Sequence, residues 1–61
     1  MDRNFYDILR RICELLRELS YALHMEFLRR GDEVKAIQIF EEFYLPFDRM
    51  AATFKALGKS D

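Results

Sequence analysis

The sequence predicts an all-α fold, a hairpin of two long antiparallel helices, and three observations carry that expectation. Glycine and proline occur only at positions 31, 46 and 58. Apolar residues recur at alternating steps of four and three on both sides of Gly31, and no period-two strand pattern competes with them.

Helix one is expected over about residues 5–30, because that stretch holds no breaker. Asp2 or Asn4 can cap it, since a short polar side chain accepts a hydrogen bond from the free amides of a first turn. Arg29 and Arg30 put positive charge at its C-terminal dipole end, Gly31 can take the left-handed conformation that closes a helix, and Asp32 can cap the next one. Arg30, Gly31 and Asp32 also spell an adhesion tripeptide, but turn chemistry accounts for all three. A turn at 31–32 is so short that the helices become antiparallel neighbours.

Helix two is expected over about residues 33–57, with 58–61 a frayed tail. Pro46 lacks an N–H and its ring presses on the carbonyl four residues back, so a kink is expected near Glu42 to Pro46, with a split into two helices as the alternative. On helix one Phe5, Leu9, Ile12, Leu16, Leu19 and Leu23 form the strongest apolar row, which is assigned to the seam of the hairpin. Ala36, Phe40, Phe43, Phe47, Met50, Phe54 and Leu57 form the matching row on helix two.

A second set recurs every seven residues beside each row: Ile8, Leu15 and Ala22 on helix one, Ile37, Tyr44 and Ala51 on helix two. The apolar arc is therefore wider than a two-helix contact can cover, and a homodimer forming a four-helix bundle is expected, with these six residues at its interface. Size points the same way. A 61-residue chain seldom draws more than ~3–5 kcal/mol from one core unless a disulfide, a metal or a partner supplements it. Cys13 is the only cysteine and His24 the only histidine, too few for an internal disulfide or a four-ligand zinc site.

Composition excludes several functions. A net charge of −1 gives no overall field toward nucleic acid or an anionic membrane, and no apolar run suggests a signal peptide or a spanning segment, so a cytoplasmic location is expected. Cys13 and His24 lie eleven residues apart, roughly 16 Å along a helix, and cannot act as nucleophile and base within one chain. The carboxylate pairs Glu14 with Glu18 and Glu41 with Glu42 read as solvated helix faces, since a hairpin offers no dry pocket to shift them. No catalytic residue, cofactor, metal or small-molecule substrate is expected.

What remains is binding. Tyr21, His24, Met25 and Leu28 make the end of helix one apolar nearly all round, and aromatic and methionine side chains of this kind form adaptable protein-binding surfaces. The expected function is a protein-interaction module: a small helical regulator or inhibitor, or an engineered helical binder, that pairs with itself and docks a helix face on another protein. Two alternatives stand beside it. One is a nucleic-acid-binding hairpin using Arg3, Arg10 and Arg17, which recur every seven residues but are interrupted by Asp7 and Glu14. The other is a purely structural self-assembling scaffold.

Overall fold

The computed structural model describes residues 3–59 and is an all-α hairpin. Helix α1 runs Arg3–Arg29, α2 runs Glu33–Ile39, a five-residue π-helical turn occupies Phe40–Tyr44, and α3 runs Leu45–Lys59. Asn4 therefore lies inside α1 rather than capping it, and Asp2 falls outside the described residues. Gly58 and Lys59, expected in a tail, belong to α3.

The turn follows from its three residues. Gly31 has φ +82°, its N–H donates to Leu28 O at 3.0 Å, and the Asp32 N–H donates to Phe27 O at 2.9 Å. These two bonds are the Schellman closure, which satisfies carbonyls that the helix end would leave orphaned. Asp32 then caps α2 by accepting from the Lys35 N–H at 3.2 Å.

Pro46 does not interrupt helix two, since α3 begins one residue before it and follows the π-turn directly. A π-turn bonds each N–H five residues back, here Leu45 N–H to Phe40 O, and so holds one more residue per turn than an α-helix. Pro46, which has no N–H to donate, is the second residue of α3, directly behind the π-turn. The wider turn also advances the register of everything after it by one residue.

The seam between the two helices accordingly keeps Ala36 and Phe40 of the helix-two row but otherwise departs from the apolar rows. Among the described residues Cys13, Ser20, Ala36 and Ala51 are buried, Ala36 at 0% and Ala51 at 5% exposure. On α1 the contact line runs Tyr6, Arg10, Cys13, Arg17, Ser20, His24 and Phe27; on the other helix it passes through Ala36, Phe40, Tyr44, Ala51 and Gly58. Small residues let the backbones approach closely: a Cβ built on Gly58 would sit 3.7 Å from Tyr6 Cβ. The Ser20 hydroxyl, buried in this seam, donates to Leu16 O at 2.8 Å.

The assigned seam of helix one is instead largely outside. Ile12, Leu16, Leu19 and Leu23 are exposed, and Leu19 reaches 66%. The physical reason is packing distance. Closely approaching helices need small side chains between them, so the bulky row rotates out of the contact. Among the described residues no large side chain is fully buried. The rod measures 45 × 14 × 12 Å, and its radius of gyration of 13.8 Å exceeds the about 10.5 Å of a compact domain of this length.

Candidate interaction surfaces

A hairpin has two broad faces, and the helical period of 3.6 residues assigns every side chain to one of them. Relative to the seam, Phe5, Ile12, Leu16, Leu19 and Leu23 of α1 turn to the same side as Phe43, Met50 and Leu57 of helix two, with Phe47 half-buried beside them, while Phe54 stacks on Tyr6 in the seam and lines the groove of the opposite face. Ile8 and Leu15 extend this side outward, with Leu15 at 65% exposure. The two helices thus present a broad exposed apolar face.

The opposite face is charged over the half of the rod that holds the chain ends. Arg10 donates to Asp7 Oδ1 at 2.6 Å and also to Glu14, while Arg11 lies 3.3 Å from Asp7 Oδ2. Arg17 donates to Asp48 Oδ1 at 2.8 Å and ties α1 to α3. The hydrogen bond from Arg10 holds the Asp7 carboxyl below its ordinary range, and the bond that Arg17 donates to Asp48 raises the guanidinium above its own. A shallow groove lies between the helices here, lined by Arg3, Asn4, Asp7, Lys55 and Lys59 among others. Of the three arginines suited to a phosphate track, Arg10 and Arg17 are thus engaged by carboxylates, and Arg3 is exposed near the chain ends.

Over the half nearer the turn the same face carries the aromatic residues. Phe40 and Tyr44 stack with centroids 4.7 Å apart; Tyr21 meets Tyr44 at 5.7 Å, and His24 sits against Phe40 at 5.3 Å and Tyr21 at 5.9 Å. His24 Nδ1 lies 2.7 Å from Ala36 O, and a carbonyl can only accept, so the ring carries its proton on Nδ1. His24 is half-buried and braces α1 against α2, whereas Tyr21, Met25 and Leu28 remain exposed.

The six residues assigned to a pairing interface separate in the same way. Ile8 and Leu15 edge the apolar face. Tyr44 and Ala51 are taken up inside the hairpin, because the π-turn brings them into the seam. Ala22 and Ile37 are exposed away from the apolar face. Sequence reasoning passed over the seam itself because Cys13, Ser20, Arg17 and His24 carry little hydrophobic signal. Their common seven-residue spacing from Tyr6 and Arg10 was the available cue.

Among the described residues no group of three His, Cys, Asp or Glu side chains could hold a metal ion, and no helix is long and apolar enough to cross a membrane. Comparison with protein-family models, curated proteins and solved structures finds no match.

Proposed function

We propose that this chain is a non-enzymatic protein-interaction module that pairs with a second copy through its apolar face, forming a four-helix bundle, and docks another protein on the Tyr21, Met25 and Leu28 patch. One observation carries the reading: Ile12, Leu15, Leu16, Leu19 and Leu23 of α1 are exposed on one face, while the buried positions among the described residues are the small Cys13, Ser20, Ala36 and Ala51. With aromatic and aliphatic side chains of 150–250 Å² left a third to two-thirds uncovered, that face exposes on the order of 900 Å² of apolar surface, against ~800 Å² per partner in a standard interface. Each large apolar side chain removed from water contributes ~1.5–3 kcal/mol, which makes pairing strongly favourable for a core this small.

Pairing on this face leaves the aromatic patch on the opposite side in solvent, so one molecule can serve both contacts. The engagement of Arg10 and Arg17 by carboxylates weighs against the nucleic-acid reading, since a neutralised guanidinium attracts phosphate weakly.

The test is absolute mass by light scattering across a hundredfold dilution in reducing buffer, for the natural chain and for Leu19→Asp. The expected result is twice 7.4 kDa for the natural chain and a shift to 7.4 kDa, with helicity retained at high concentration, for the variant. A natural chain that stays at 7.4 kDa throughout removes self-pairing. In that event the apolar face is the site for a foreign protein.

A further inference from the structure

Given self-pairing, on which this inference rests, two orientations satisfy a two-fold axis. With the axis along the rod, the turns lie at the same end and α1 packs on helix two of the partner. With the axis across the rod, each turn lies over the partner's chain ends and α1 packs on its own copy. We infer that the second copy docks in the crossed orientation, with the axis passing near Leu16 and Phe47.

The first support is the order of side chains on the apolar face. About Leu16, α1 reads nearly the same in both directions: Leu9 and Leu23 lie seven residues away, and Ile12 and Leu19 four and three. An antiparallel α1 pair therefore sets Leu beside Leu and Ile beside Leu. On helix two, Met50 mirrors Phe43 about the Pro46–Phe47 bond. An isologous interface must be complementary to itself, and rows matched in size about a perpendicular axis meet that condition in the crossed orientation. The centres of the two rows also lie side by side in the rod, since the Arg17–Asp48 bond links the adjacent positions.

The second support is charge. Around the chain ends, residues 3–15 and 48–59 carry Arg3, Arg10, Arg11, Arg49, Lys55 and Lys59 against Asp7, Glu14 and Asp48. The turn half, residues 16–47, carries six acidic side chains against four basic ones. Including Asp2 and Asp61 narrows the contrast without reversing its sign. The crossed orientation brings the basic half of one copy over the acidic half of the other, whereas the alternative stacks like on like. Exposed charges add little affinity, so they act here on orientation rather than strength.

Dipolar electron resonance between spin labels separates the cases. Asn4→Cys labels lie 12 residues from Leu16, so in the crossed dimer they are about 36 Å apart along the rod at 1.5 Å per residue; Glu33→Cys labels at the turn end are about 40 Å apart. With the axis along the rod, each pair is separated only by the width of the bundle, about 20 Å for helices 10–12 Å across. Both substitution sites are exposed. Cys13 is buried and stays unlabelled in the folded protein, and a Cys13→Ala background repeats the measurement. Long distances at both ends are the expected result. Short distances in a species of double mass overturn the orientation and leave self-pairing standing, while absence of any dipolar signal in a 7.4 kDa species overturns self-pairing itself.

Discussion

The imidazole of His24 donates from Nδ1 to the carbonyl oxygen of Ala36 across 2.7 Å, from the last third of α1 to the first turn of α2. That carbonyl also receives the N–H of Phe40, at the start of the π-turn. His24 therefore acts as a brace at the point where helix two leaves α geometry, with the Phe40 ring against its own.

Replacing His24 by phenylalanine keeps a ring beside Phe40 and removes the donor; alanine removes both. Urea unfolding at fixed protein concentration should show a loss of about 1 kcal/mol for His24→Phe, a typical net hydrogen bond, and about 2 kcal/mol for His24→Ala, where ring contacts go as well. Equal stability of His24→Phe and the natural protein would show that the bond contributes nothing.

Acid should weaken the fold through two carboxylates. The Arg10 hydrogen bond depresses Asp7 below its ordinary 3.8, with the charges of Arg11 and Arg10 adding to it, and the Arg29 hydrogen bond depresses Glu26 below 4.5. A depressed pKa means that the unfolded chain takes up protons first, so the stabilisation is complete above these ordinary values and is lost as pH falls through the folded ones. Melting temperature should thus be insensitive to these groups from pH 5 to 8 and decline below about pH 4.5. Asp7→Asn with Glu26→Gln should flatten the decline, and since both groups are surface ones, salt should shrink it. An unchanged acid limb in the double variant would assign it to other carboxylates.

Met25→Asp together with Leu28→Asp probes the two faces separately. Both residues lie away from the apolar face, so the double variant should keep the mass of the natural chain and its helicity, in contrast to Leu19→Asp. Sedimentation of the two variants side by side gives the comparison. If Met25→Asp with Leu28→Asp dissociates the pair as Leu19→Asp does, the assignment of the faces is incorrect.

How far the sequence foretold this fold depends on which interaction decided each part. The turn was legible because Gly31 and Asp32 act locally: one must have positive φ and the other must cap, whatever the rest of the chain does. The breadth of the apolar arc was legible too, since Ile8 and Leu15 stand beside a complete four-three row. The seam was legible only in part, at Ala36 and Phe40, because strength of hydrophobic signal was read as proximity to the neighbouring helix. Close helix packing selects for size, so Cys13, Ser20, Ala36 and Ala51 took the contact while Leu19 was left outside. The apolar character of Tyr21, Met25 and Leu28 was visible as composition, but the role of His24 beside them depends on the Ala36 carbonyl, which no spacing along α1 reveals.

The π-turn escaped notice for a different reason, which yields the last prediction. An extra residue in a helix leaves no compositional mark, and the row Ala36, Phe40, Phe43, Phe47, Met50 appears unbroken across it, although the residues actually in the seam after it are Tyr44, Ala51 and Gly58. If the extra residue is what accommodates Pro46, the two features are coupled. Deleting Glu42, whose side chain is exposed, should convert Phe40–Tyr44 to α geometry and set the proline ring against a helix carbonyl, costing up to ~3 kcal/mol. Adding Pro46→Ala to the deletion should recover most of that loss, while Pro46→Ala alone should change stability far less, because the π-turn already relieves the ring. A double-mutant cycle from chemical denaturation gives the coupling directly. Additive effects would mean that the π-turn is maintained by the packing of Tyr44, Ala51 and Gly58 alone, with Pro46 a tolerated passenger in the first turn of α3.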